Sequence, residues 1–194
     1  MSYCANTYRI NFERLQRVRG SRDQRLLAEL TNAHPDDGDD AGDYDEDEER
    51  PPAFSAALAA IVNGDTIEDG YWPTYADASD AIYERFGTLL DSNAISPSRP
   101  QFLHSVTDTL DAAGLRTPIR IFDSSRVPPL LSEPPEAFPI LTHMTPAEVL
   151  AARGRLQSHD WSSEPHYVQE AIRMVARWIE EAAARGEGLV CCYG

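Results

Sequence analysis

Residues 164–193, EPHYVQEAIRMVARWIEEAAARGEGLVCCY, decide how this chain folds. Val168, Ile172, Val175, Ile179 and Ala182 recur at the spacing that places them on one face of a helix. Ala171, Met174 and Trp178 widen that face. Glu170, Arg173, Arg177, Glu180, Glu181 and Arg185 fall on the opposite side, where they want water. The spacing predicts an amphipathic helix over Glu164–Arg185 that ends in Gly186 and Gly188 and delivers an apolar strand, Leu189–Tyr193. Left unpaired, such a strand would be an exposed edge. The rest of the chain must therefore cover it and make it an interior or protected strand.

The remaining sequence supplies that cover. Tyr3–Ile10 reads as a strand, and Asn11 can cap a short helix over Phe12–Arg19 that Gly20 stops. Ser21 to Gln24 has the form of a capping box opening a helix with Leu26, Leu27 and Leu30 on one side. Phe54, Ala57, Leu58, Ile61 and Val62 recur at helical spacing up to Asn63-Gly64. A second helix is expected over Tyr75–Leu90, with Ile82, Tyr83, Phe86, Leu89 and Leu90 inward. Ser98 to Gln101, with Pro100, reads as a capping box for a helix carrying Phe102, Val106 and Leu110 to Gly114. Pro118–Phe122 and Phe138–Leu141 are short strand candidates, separated by a proline-rich extended loop over Val127–Pro135. Thr145-Pro146-Ala147-Glu148 is a capping box with proline at the first helical position. Its helix runs to about Gln157 with Val149, Leu150 and Leu156 inward. The expected fold is a single α+β domain of six to seven helices on a small mixed sheet that includes the N- and C-terminal strands.

The charge balance narrows the function. The chain has 194 residues, 42% of them hydrophobic, enough for one good core. Its net charge of −15 argues against nucleic-acid binding and against docking on an anionic membrane. Ten of the acidic residues fall between Asp36 and Glu49, a stretch without a basic residue. Residues 35–52 are expected to form a disordered acidic loop, because ten carboxylates repel and little apolar surface can be buried. A calcium loop can be aligned there, with Asp37, Asp39, Asp43, Asp45 and Glu48 as ligands and Gly42 at the turn. Ala41 spoils one ligand position, and Pro51-Pro52 stand where an exiting helix should continue. Matches of this quality arise from acidic composition alone, so no cofactor is expected. With no signal peptide, no membrane-length apolar run and three cysteines in no framework spacing, a reduced cytoplasmic location is the economical reading.

Candidate chemistry is sparse. No His-x-x-x-His or Cys-x-x-Cys pair offers metal-ligand spacing, and no Gly-x-Ser-x-Gly elbow or phosphate loop occurs. Tyr71-Trp72-Pro73-Thr74-Tyr75 is the most site-like stretch: aromatic bodies with polar tips suit a ligand or partner surface, though a lid over the core is the favoured reading, because loops with this much aromatic area are usually packed down. His143 and the group His159, Asp160 and His166 are the other binding candidates. Cys191 and Cys192 point to opposite faces of an alternating strand, one in the core and one half-exposed, and both are expected to be inert.

The layout resembles the YfbM-like group of uncharacterised bacterial proteins. The resemblance is carried by MSYCANTYRI and SRDQRLL, the acidic insert before Asn63-Gly64, LTHMTPAEV, and the closing AAARGEGLVCCYG. It implies a small α+β domain with no assigned reaction, so no catalytic residues follow from it. The leading expectation is a non-catalytic interaction module, toxin-neutralising or acting in stress or defence, that recognises a basic protein partner through its acidic surface. The alternative is a small-molecule enzyme or sensor with a pocket near Tyr71–Tyr75 and His143 or His159–His166.

Overall fold

Both faces of the closing strand are apolar, and the fold buries both. The computed structural model describes residues 4–35, 51–67, 71–97, 99–117, 127–131 and 140–194. The acidic stretch 36–50 and the expected strand over Pro118–Phe122 lie outside these. In chain order the elements are β1 (Ala5–Ile10), α1 (Phe12–Gln16), α2 (Gln24–Ala33), α3 (Phe54–Asn63) and α4 (Trp72–Phe86). They continue with β2 (Gly87–Leu90), α5 (Pro100–Ala112), β3 (Ile140–Met144), α6 (Pro146–Ser158), α7 (His166–Ala183) and β4 (Gly188–Tyr193). The strands lie in the order β2-β1-β4-β3. The closing strand is thus interior, paired with β1 through Asn6↔Cys192 and with β3 through Leu141↔Cys192.

The sheet is antiparallel at every described pairing rather than mixed. β1 and β3 both run opposite to β4 and are separated by it, as β2 and β4 are by β1, so strands that share a direction never meet. Alternation along β4 then divides the core. Leu189, Cys191 and Tyr193 face the layer of α5, α6 and α7, together with Met144, Val149, Leu103 and Trp178. Val190 and Cys192 face the other layer, with Tyr8, Ile10, Leu15, Leu30, Leu58 and Ile82. The molecule is a three-layer α+β domain with helices on both sides of its sheet.

Local signals explain most element boundaries. The Asn11 side chain accepts from the Arg14 N–H at 2.9 Å, and Gly64 closes α3 with φ 77°. Thr145 and Glu148 form the reciprocal capping box at α6, with Thr145 N–H donating to Glu148 at 2.8 Å. All eight apolar residues named on the closing helix are buried. Other expectations are corrected. Asp23, rather than Ser21, caps α2, because its carboxylate accepts from both Arg25 and Leu26 N–H groups. Arg99 stands at the cap of α5 without a side-chain bond, and Pro100 starts that helix unaided. Tyr71–Tyr75 is the first turn of α4 rather than a loop, opened by Pro73. Residues 87–90 leave that helix to become an edge strand on β1, so Leu89 is 61% exposed instead of inward. Leu150 is also outward, 62% exposed, because Val149, Ala152 and Leu156 take the buried side of α6.

The half-exposed cysteine is likewise corrected. Cys191 is fully buried and Cys192 is 7% exposed, since helices cover both faces of β4. Burial pushes the Cys191 thiol up to about 12, partly offset by its contact with Thr7 at 3.0 Å. Thiol-specific reagents at neutral pH should therefore modify Cys4 within minutes, while Cys191 and Cys192 react only at the rate of unfolding. Counting labelled thiols by mass under native and denaturing conditions checks this.

Candidate functional site

The polar side of α4 carries Asp77, Asp80 and Glu84 at spacings of three and four residues, so the carboxylates share one stripe. Two hollows lie along it. At the start of α4, a cavity of about 130 Å³ is lined by Asp77 and Asp80 with Asn6 and Cys4 from the β1 end and Cys192 from β4. Toward the other end, a wider hollow of about 360 Å³ between α2 and α4 holds Glu29, His34, Glu84 and Arg85. There the Arg85 Nε meets Glu29 at 2.5 Å, and the His34 Nε2 lies 3.7 Å from Glu84. His34 and Pro35 immediately precede the acidic stretch in sequence.

Asp80 is the centre of the smaller cavity. Its Oδ2 accepts from the Asn6 side-chain amide at 3.3 Å, and the Tyr8 hydroxyl and Cys192 thiol also face the carboxylate. Burial, and then the charge of Asp80, push the Tyr8 hydroxyl and the Cys192 thiol upward. Tyr83, buried alongside, is raised by burial, then by Cys192 and Asp80. At neutral pH these groups are uncharged donors around one carboxylate. The arrangement suits holding a polar group, and Cys192 in its resting state is a hydrogen-bond donor to the carboxylate.

Asp77 differs because its side chain reaches solvent. Partial burial, then the like charge of Asp80, raise its carboxyl above the ordinary value. The folded state therefore holds the proton more tightly than the unfolded chain. Stability declines as pH rises above the usual carboxylate range, where Asp77 loses that proton. Asp77→Asn should raise the melting midpoint at pH 7 by about a degree, because solvent screens the repulsion it relieves. The gain should vanish at pH 3, where the carboxyl is already neutral. Thermal scans at the two pH values check both parts.

The seven residues singled out in the sequence are not brought together. Tyr75 is buried, and Tyr71 and Trp72 are half-buried against the core of the α1–α4 layer. His143 stands on β3 with its ring 5.9 Å from Phe12. His159 and Asp160 belong to the connection from α6 to α7, where neighbouring Trp161 packs on the opposite core, and His166 is the first residue of α7. His159 stacks on Trp161 at 4.1 Å, and His166 lies 3.8 Å from Glu170. Asp160 accepts from the Ser162 N–H and hydroxyl, which together hold its carboxyl below the usual range. None of the seven lines either hollow. Among the described residues, no three His, Cys, Asp or Glu side chains are placed to hold a metal ion, and no helix is long and apolar enough to cross a membrane.

Fold and site together define a small α+β domain with an acidic helix face beside a cysteine-lined cavity. The chain belongs to the family described as domain of unknown function (DUF7691), matched over residues 1–194. This match carries no link to the YfbM-like group. No curated protein and no solved structure matches the chain.

Proposed function

We propose that this protein is a non-catalytic binding module that recognises a basic protein partner through its acidic surface. The carboxylate stripe on α4 supports the reading. Glu29, Glu180 and Glu187 each have an arginine partner, whereas no ion pair reaches Asp77 or Asp80 among the described residues. Carboxylates without a cationic partner cost stability and steer a cationic partner, and the chain's net charge of −15 acts in the same sense. A cytoplasmic bacterial setting, with toxin neutralisation or stress defence as the occasion, belongs to this proposal. So does kinship with the YfbM-like group, which rests on LTHMTPAEV and the closing Gly-Leu-Val tail.

The test is affinity capture across a salt series, followed by zero-length carbodiimide crosslinking. The sequence contains no lysine, so crosslinks from its carboxylates to lysine amines report the partner. Capture of a basic protein should weaken steeply with salt. The double variant Asp77→Asn, Glu84→Gln should lose about tenfold in affinity at low salt. Binding that ignores both salt and these substitutions refutes the reading.

A further inference from the structure

Cys4 and Cys192 are on the same face of the β1–β4 pair, and both line the smaller cavity. Asn6 is the direct partner of Cys192, and Cys4 lies two residues further along, which makes the cysteines diagonal neighbours. The residue opposite Cys4 is Gly194, joined to it by backbone bonds of 2.9 and 3.1 Å. Gly194 puts no side chain between the two sulfurs. Cys191 points into the other core layer and is removed from this chemistry.

We propose that Cys4 and Cys192 form a dithiol that a hydroperoxide closes into a disulfide across β1 and β4. The exposed Cys4 is the attacking group. Its thiolate takes the terminal oxygen of the hydroperoxide, giving a sulfenic acid and, after protonation, releasing the alcohol or water. The Cys192 sulfur then attacks the sulfenic sulfur. The S–S bond forms as the S–O bond breaks, and hydroxide leaves as water once protonated. Two electrons pass from the two thiols to the peroxide. The Cys192 proton has an acceptor already in place, because that thiol faces the Asp80 carboxylate. Asp80 is therefore a positioning and proton-accepting residue for the second step only. Diagonal neighbours have Cα atoms roughly 7–8 Å apart, and disulfides span about 4.4–6.8 Å. Closure therefore draws the Cys4 end inward by about an ångström. Cys4 lies just outside β1 and is held by two backbone bonds, so that end of the pairing can give.

The experiment treats the full chain with a small excess of hydrogen peroxide and follows intact mass, alkylatable thiols and peptide maps. The expected product has lost two hydrogens, keeps one alkylatable thiol after denaturation, and yields a Cys4–Cys192 linked peptide. Cys191→Ser should still form the bridge, and Cys4→Ser should not. Asp80→Asn, checked by circular dichroism for an intact fold, should oxidise Cys4 at the ordinary rate. Its bridge closure should be slower by roughly tenfold or more, with sulfenic acid trapped by a dione reagent. Oxidation of Cys4 to sulfinic acid, or Cys4–Cys4 pairing between chains, with Cys192 still alkylatable after denaturation, overturns the proposal. The Cys4→Ser arm decides it even if the Asp80 variant fails to fold, since Cys4 is exposed.

Discussion

Alanine at position 188 is expected to lower the folding free energy by about 3 kcal/mol, whereas alanine at position 186 should cost about 1 kcal/mol. The two glycines are separated by one residue and do different work. Gly186 takes φ 64° where the chain leaves α7, and a Cβ there would meet nothing within 4 Å. Its substitution carries only the strain of a left-handed backbone. Gly188 opens β4 beneath Phe12, and a Cβ would stand 2.5 Å from the Met144 carbonyl oxygen and against the Phe12 ring. The ring can turn, but the carbonyl belongs to the β3 strand paired with β4 through Met144↔Leu189. Relief therefore requires β3 to move away from the central strand of the sheet. Urea unfolding should show the difference as a shift in midpoint with an unchanged slope. Equal losses at the two positions would mean that β3 is not held against β4 in this register.

That contrast also marks where the sequence stopped being informative. Gly186 and Gly188 were both legible as the end of a helix, but the lack of room at Gly188 depends on Phe12 and Met144, which are remote in the chain. The closing helix and Thr145–Glu148 were readable because their determinants are local: a periodic apolar face, and a hydroxyl and a carboxylate three residues apart. Residues 86–90 misled for the same reason. Phe86, Leu89 and Leu90 continue the helical spacing of α4, and only pairing with β1 pulls Gly87–Leu90 into a strand. At Gly87 a Cβ would lie 2.7 Å from the Tyr83 carbonyl and 3.0 Å from the Tyr8 Cβ, so glycine permits the close passage from helix to edge strand. A tertiary contact overrode a correct local pattern.

The cavity at Asp80 was illegible for a topological reason. Its walls come from Cys4 and Asn6 near the start of the chain, Ala76, Asp77 and Asp80 of α4, Leu141 of β3, and residues 192–194, which meet because β4 pairs with both β1 and β3. The aromatic run Tyr71–Tyr75 stands out by composition, while the cavity is lined by Ala76, Asp77 and Asp80 just after it. One signal was available: Asp77, Asp80 and Glu84 follow helical spacing, so a carboxylate stripe could have been read from the same periodicity that identified the apolar face. What spacing could not supply was the partner set, namely the donors Asn6, Tyr8 and Cys192 around Asp80 and the absence of an ion pair to Asp77 among the described residues.

Trp178→Ala is expected to be the most damaging single truncation on the closing helix, costing about 4 kcal/mol. Trp178 is 2% exposed on the face of α7 that packs against the sheet and α5. Its Nε1–H donates to the Asp91 carbonyl at 2.8 Å, tying the helix to the segment that follows the edge strand β2. Removing the side chain opens a cavity and leaves that carbonyl without its donor. Trp178→Phe separates the two effects. It keeps most of the buried ring and loses the hydrogen bond, so it should cost about 1–2 kcal/mol. For a domain of this size each kcal/mol moves the melting midpoint by about 2–4 °C. Alanine should therefore lower the midpoint by roughly 8–16 °C and phenylalanine by about a quarter to a half as much. The loss should fall mainly on the α5–α7 layer, detectable as faster amide exchange in α7 and around Asp91 than in α3. An alanine variant as stable as the phenylalanine one would show that the indole fills no cavity, and the layer assignment built on the closing helix would fail with it.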